Sequence, residues 1–163
     1  MSDCNSFAPQ ITCDSKVLIL GSMPGVRSLE LQQYYAHPQN RFWKVMGLIC
    51  ECSDLHELDY SQKLEVLLNH NFALWDVIGY CKREGSLDSA IYDEVPNKIN
   101  ELLNQYQNIK TICLNGNKSY AAFKKYFPDL LEHYQCYKMP STSPANARYS
   151  LDVLYDSWKI IIS

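Results

Sequence analysis

Asn40 is a neutral amide placed where a polar, aromatic loop meets a helix. Tyr34-Tyr35-Ala36-His37-Pro38-Gln39 leads into it, and Arg41-Phe42-Trp43-Lys44 follows it. An amide offers two donors and a carbonyl acceptor, so it can orient a water molecule or a base edge. Asparagine is also a good helix N-cap, and an oxygen spent on a cap has less capacity for a ligand. Upstream, Gly21 and Gly25 bracket Ser22, Met23 and Pro24 in a turn. Glycines there let backbone N–H groups come close to a phosphate or an oxyanion. The turn has neither G-x-G-x-x-G spacing nor a GK[ST] ending, so it reads equally well as a plain strand-to-helix turn. Tyr34 and Tyr35 are suited to stacking on a planar base, worth ~1–3 kcal/mol per base. The alternative is that one ring packs on the core and the other lies on the surface.

Two more polar segments carry the same ambiguity. Asn115-Gly116-Asn117 and residues 141–146 are rich in Asn and Ser, which form turns as readily as sites. Lys118, Lys124, Lys125, Arg148 and Lys159 are candidates for a phosphate-facing patch or for a solvated helix face. His37 has no serine or cysteine near it in sequence, so a hydrolytic triad has no support. Asp76 and Asp88 are the acids nearest a strand edge, and either can be structural.

These segments need elements to hold them. Residues 16–20, 72–78, 109–114 and 134–139 read as four strands, from their continuous apolar runs. Helices are predicted over residues 41–50, 61–70, about 97–105, 118–127 and 151–161. Residues 1–14 read as an irregular lead, and 79–89 as a loop with a short helical turn after Ser86. Strands alternating with helices predict an α/β domain with a mainly parallel sheet covered on both faces. In such a sheet the loops that follow the strands gather at one edge. Residues 21–40, 79–89, 115–117 and 140–148 should therefore meet there.

The chain has 163 residues, the size of one ordinary domain, and 47% of them are hydrophobic. A formal net charge of −3 argues against coating nucleic acid by bulk charge, while leaving room for a local basic surface. The seven cysteines are odd in number and contain no C-x-x-C, which reads as free thiols in a reducing cytosol rather than a metal or disulfide framework. Residues 1–10 lack a basic-then-apolar pattern, and no run approaches the ~20 apolar residues of a membrane span. A soluble cytoplasmic protein is expected.

Taken together, Gly21-Ser22-Met23-Pro24-Gly25, Ser28-Leu29, Tyr34-Tyr35, Ala36-His37-Pro38-Gln39-Asn40-Arg41-Phe42-Trp43-Lys44 and Ser141-Thr142-Ser143-Pro144-Ala145-Asn146-Ala147 resemble the uracil-DNA glycosylase superfamily. Within it the blocks are most similar to the hypoxanthine-DNA glycosylase branch. The resemblance implies a three-layer α/β/α sandwich around a four-stranded, mainly parallel sheet, as one glycosylase domain over residues 1–163. It implies an enzyme that flips a deaminated base out of DNA and hydrolyses its N-glycosidic bond, with hypoxanthine as the expected base. Excision of uracil or mismatched uracil is the alternative. A non-catalytic nucleic-acid-binding module and a small-molecule-binding domain are readings of a different kind.

The resemblance also assigns roles. Mismatch-specific and thymine-DNA glycosylases carry a catalytic asparagine in the glycine turn, where this chain has Met23, and the classical uracil enzymes carry an aspartate in that turn. The hypoxanthine branch uses the asparagine of its HP-x-N motif, which moves the catalytic role to Asn40. Gly21, Ser22 and Met23 supply backbone to the base, Tyr35 stacks on it, and Asn115 reads its edge or supports Asn40. Residues 140–148 enter the duplex, with Asn146 or Arg148 as the inserted side chain and Ser141, Ser143 and Lys118 also on DNA. No metal or cofactor is implied, and the partner is DNA containing deaminated bases, met as a monomer away from membranes.

Overall fold

The structure is a computed structural model, and residues 2–162 are described. Four strands form its central sheet: β2 (Val17–Gly21), β3 (Phe72–Asp76), β6 (Thr111–Asn115) and β7 (Gln135–Met139). Their order is β3-β2-β6-β7 and every pairing is parallel. Side chains alternate across each strand, and this alternation feeds two cores. Val17, Ile19, Phe72, Leu74 and Cys113 face one cluster, with Phe42, Val45 and Met46 of α2 (Phe42–Ile49), Leu67 of α3 (Tyr60–Asn69), and Leu154 and Trp158 of α7 (Leu151–Trp158). Leu18, Leu20, Ala73, Ile112 and Leu114 face the other, with Ile99 and Leu103 of α4 (Ile99–Gln105) and Ala122 and Phe123 of α5 (Asn117–Tyr126). Helices thus cover both faces, and the three-layer α/β/α architecture is present.

The sequence reading ran 72–78 as one strand and 79–89 as a loop. In the structure β3 ends at Asp76 and β4 (Ile78–Arg83) turns away. A second, antiparallel sheet of order β1-β4-β5 results, with β1 (Ser2–Asn5) and β5 (Tyr92–Pro96) at its edges. So part of the expected irregular lead is also a strand. These short edge strands are mixed in polarity and lack the apolar runs that mark the central four. Two short helices, α1 (Val26–Leu31) and α6 (Pro128–His133), were likewise not predicted as separate elements. Pro128 ends one helix and opens the next, since its fixed φ suits a first helical turn.

The chain runs from β2 to β3 on one side, and later fills β6 and β7 on the other. The direction reverses between β2 and β6, and there the loops after the strands diverge to leave a crevice. Gly21 closes β2 and Asn115 closes β6, so both stand at this point.

Candidate active site

A cleft of about 740 Å³ opens at that crevice. It brings together the glycine turn, Tyr35, His37, Asn40, Asp76, residues 86–89, Asn115, Lys118 and the loop over residues 140–149. All four segments expected at the sheet edge contribute. Each of the sequence-predicted site residues (Gly21, Ser22, Met23, Tyr35, Asn40, Asn115, Lys118, Ser141, Ser143, Asn146 and Arg148) lines the cleft.

Asn40 sits two residues before Phe42, the first residue of α2, and one before the N-cap Arg41. Its Oδ1 accepts the Phe42 N–H at 2.9 Å, closing an Asx turn, while Arg41 O receives the first helical bond from Val45 N–H at 2.9 Å. Capping therefore uses one lone pair of Oδ1. The second lone pair and both hydrogens of Nδ2 have no partner among the described residues. The bond to the Phe42 N–H thus leaves room for a ligand on the same side chain.

Arg41 explains how Asn40 stays in register with the far loop. Its backbone N–H donates to Thr142 O at 3.0 Å. Its guanidinium donates to the carbonyls of Tyr149, Ser143 (3.2 Å) and Asn146 (3.0 Å). A planar fork of donors can hold three carbonyls at once where a lysine cannot. The sequence carries no sign of this clamp, because its acceptors are backbone atoms more than a hundred residues away.

Asn115 is a brace. Its Oδ1 accepts the Thr142 N–H at 3.1 Å, and its Nδ2 donates to Thr142 Oγ1 at 3.1 Å and Tyr35 Oη at 3.3 Å. Both amide hydrogens are engaged within the protein, and the residue is 8% exposed. Its side-chain bonds run to Thr142 and Tyr35, and none among the described residues reaches Asn40. Thr142 is fully buried. Gly116, next along, has φ +97°, and a Cβ there would lie 3.1 Å from Ser141 Cβ, so the loop packs directly on a bare backbone.

Tyr35 also sits at positive φ, +54°. Its ring stacks on Phe42, with centroids 3.8 Å apart and planes at 16°. One face of the ring is thereby covered by Phe42. Tyr34 is core, its hydroxyl donating to Ala8 O at 3.0 Å. Burial, reinforced by Asp76, pushes both phenols far above their ordinary range, so both stay neutral.

The glycine turn keeps its donors free. Gly21 O and Ser22 O accept from Val77 N–H (2.8 Å) and Ile78 N–H (3.0 Å), whereas the Ser22 and Met23 N–H groups have no acceptor among the described residues. Met23 is 6% exposed and packs with Leu20 and Ile78 in the second core. It contributes backbone to the cleft and apolar bulk to the interior. Ser22 Oγ donates to Asp88 Oδ1 at 2.6 Å.

Asp76, left open by the sequence, is the residue the structure adds. It ends β3, is 4% exposed, and lines the cleft. Neither carboxyl oxygen has a hydrogen-bond partner among the described residues, and Oδ2 is completely buried. Burial, then the charge of Asp88, raise its pKa to about 7, against a smaller opposing pull from Arg83. Its Oδ1 lies 2.6 Å from where a Cβ on Gly21 would stand, so only glycine fits opposite it. A sequence signal existed, an aspartate closing an apolar strand, but nothing in it foretold an unpartnered carboxyl.

The remaining predicted DNA contacts are unequal. Lys118 Nζ pairs with Glu94 Oε1 at 2.6 Å, so a phosphate would have to share that ammonium. Asn146 Nδ2 donates to Ser141 O at 3.0 Å, and Ser141 Oγ and Ser143 Oγ accept from the Ser143 N–H (3.1 Å) and Ala145 N–H (3.2 Å). These bonds build the loop. Arg148 is exposed, with its guanidinium 5.5 Å from the centre of the Tyr149 ring. Among the described residues no helix is long and apolar enough to cross a membrane.

Comparisons with known proteins converge on one family. A family model described as the uracil DNA glycosylase superfamily matches residues 8–160. A hypoxanthine DNA glycosylase of Methanosarcina barkeri is 42% identical over 113 residues, 69% of this chain and 71% of that protein. Another, of Methanosarcina acetivorans, is 38% identical over 138 residues, 84% of each. The solution NMR structure of a Methanosarcina acetivorans protein provisionally assigned as a uracil DNA glycosylase is 33% identical, with a TM-score of 0.85. That match covers 99% of this chain and 97% of that one.

Proposed function

The chain belongs to the uracil DNA glycosylase superfamily, and we propose that it excises hypoxanthine from deoxyinosine in DNA. It does so as a single glycosylase domain and a monomer, without a cofactor, and leaves an abasic site. The observation that carries this reading is Asn40. The glycine turn holds Met23 and offers no side-chain amide or carboxylate, while Asn40 lines the cleft with one lone pair of its Oδ1 and both Nδ2 hydrogens open. The names of the relatives at 42% and 38% identity supply the choice of base. A cytoplasmic location accompanies the reading, in keeping with seven free thiols.

The glycosidic bond of a paired nucleotide lies inside the duplex, so the nucleotide must first rotate out. The free face of Tyr35 receives the extruded base. The bond between C1′ and N9 then breaks with its electron pair staying on the purine, which gathers negative charge. The Ser22 and Met23 N–H groups stabilise that charge, as preorganised donors do in a site that excludes water. Asp76, neutral up to about pH 7, is a further donor to an acceptor atom of the base, since a protonated carboxylic acid can donate. Asn40 Oδ1 holds a water against C1′. The water oxygen bonds to the sugar cation and its proton goes to solvent. Because the cation forms before the water adds, a neutral amide suffices.

The test is a release assay on matched duplexes carrying deoxyinosine or deoxyuridine against each normal base. Hypoxanthine released with an alkali-labile abasic product supports the reading. Release of uracil alone overturns the choice of base, and release of neither overturns the enzyme.

A further inference from the structure

Asp76 is a buried acid in the cleft with no counterion in contact. It is 4% exposed, and neither of its oxygens has a hydrogen-bond partner among the described residues. Burying such a group is unfavourable unless a partner is supplied. A second acid, Asp88, lines the same cleft, and its negative charge bears on Asp76. The other groups facing Asp76 do not balance the pair. Tyr34 and Tyr35 of the aromatic loop and Tyr60 of α3 carry neutral phenols. Arg83 of β4 donates to Pro24 O and forms no ion pair with either acid among the described residues. The lysine and arginines that line the cleft are held elsewhere. Lys118 pairs with Glu94 at 2.6 Å, Arg27 pairs with Glu30 at 3.7 Å, and Arg148 stands beside the Tyr149 ring.

An unbalanced acid beside the Tyr35 ring suits a ligand that is both planar and positively charged. A purine alkylated at a ring nitrogen meets both conditions, because the added bond leaves a formal positive charge on the ring. A carboxylate and the face of an aromatic ring each attract such a cation. Its release is also less demanding than that of hypoxanthine. The bond from C1′ to the base breaks with the electron pair staying on the base. That pair cancels the positive charge, so a neutral molecule departs and no acid is needed to help it leave. The oxygen of a water bonds to C1′, and its proton goes to solvent. Asn40 has the same task with either base.

Building on the glycosylase reading of the same cleft, we propose that it also releases cationic, ring-alkylated purines such as 7-methylguanine and 3-methyladenine from DNA, with the Asp76 carboxylate as their counterion. The two substrate classes call on opposite states of one side chain. Hypoxanthine is neutral and takes a hydrogen bond from the protonated acid, whereas the cationic base pairs with the carboxylate. Asp76 changes state at about pH 7. Below that value a proton must leave Asp76 before a cation can pair with it, so release of the cationic base gains as pH rises through 7. Release of hypoxanthine declines over the same range. An acid with only a structural role would give no such crossing.

The experiment measures base release by the wild type and Asp76→Asn at pH 6 and pH 8, with EDTA present so that no divalent cation competes for the carboxylates. One substrate is duplex DNA treated with dimethyl sulfate, which carries 7-methylguanine and 3-methyladenine. The other is a duplex containing deoxyinosine. Spontaneous loss without enzyme is subtracted. The readout is the ratio of alkylated purine to hypoxanthine released. In the wild type this ratio should rise at least ~10-fold from pH 6 to pH 8, as a group titrating between them goes from mostly protonated to mostly ionised. Asp76→Asn should lower the ratio at pH 8 at least ~10-fold, the scale of an opposite charge that moves a pKa by one unit, and should flatten its pH dependence. Release of hypoxanthine with no alkylated purine above the spontaneous level overturns the inference and leaves the glycosylase reading standing. Release of alkylated purine with a ratio that neither pH nor Asp76→Asn alters overturns the role of the carboxylate. Release of alkylated purine alone supports the inference and overturns hypoxanthine as the substrate. If the wild type releases no base from either DNA, the glycosylase reading fails and this inference falls with it.

Discussion

Replacing Asp76 by asparagine should stabilise the protein at pH 8 and do much less at pH 4.5. The carboxyl is 4% exposed and unpartnered, and its pKa is raised from 3.8 to about 7. Below pH 4 the group is neutral whether the chain is folded or not. Between pH 4 and 7 the unfolded chain releases this proton and the folded one keeps it, so stability falls as pH rises and levels off above 7. A rise of about three pH units, at ~1.4 kcal/mol each, corresponds to ~4 kcal/mol. That is an upper bound, because water entering the cleft relieves part of it. Asparagine is nearly isosteric and cannot ionise, so Asp76→Asn escapes this loss. The assay is urea denaturation of both proteins at pH 4.5 and 8. The expected result is a gain of ~2–4 kcal/mol for the variant at pH 8 that shrinks to below ~1 kcal/mol at pH 4.5. A variant destabilised equally at both values would refute the reasoning, since it would mean the carboxylate has partners in the folded state. Excision gives a second reading of the same group. If the neutral acid donates to the base, wild-type activity declines above pH 7 and that of Asp76→Asn does not.

Asn115→Ala leaves the Thr142 N–H and hydroxyl and the Tyr35 hydroxyl without their partner. Urea denaturation should show a loss of ~2–3 kcal/mol, the scale for stranding buried polar groups, and excision should fall with it as Tyr35 and the loop lose their register. Arg41→Lys keeps the charge but cannot bridge the three loop carbonyls. Amide hydrogen exchange over residues 143–149 should quicken by at least ~10-fold, as expected for losing ~1.5 kcal/mol of charge-assisted bonding, with little change in the central strands.

The central sheet was legible because its strands are short apolar runs bounded by turn residues, as Val17 to Leu20 and Ile112 to Leu114 are. The second sheet was not. Ile78–Arg83 mixes Tyr, Lys and Arg with apolar residues, and its pairing with Ser2–Asn5 joins segments more than seventy residues apart. The site was legible to the extent that topology predicts which loops meet. Alternation of strand and helix sufficed to bring residues 21–40 against 140–148. What each polar side chain does there was not legible, because the sequence shows donors and acceptors without their partners. Asn40 and Asn115 look alike in sequence. One keeps most of its capacity open, and the other spends it on Thr142 and Tyr35. Asp76 and Asp88 look alike too, yet Asp88 has the Ser22 hydroxyl and Asp76 has no hydrogen-bond partner among the described residues.

The account stands on Asn40 acting as more than a cap, and Asn40→Ala tests that directly. Removing the bond to the Phe42 N–H should cost ~1 kcal/mol of stability. Single-turnover release of hypoxanthine from a deoxyinosine duplex, measured well below the melting temperature of both proteins, should fall at least ~100-fold, the scale for a positioned catalytic group. Release within about threefold of wild type, alongside that same ~1 kcal/mol loss, would make Asn40 a cap and contradict the account.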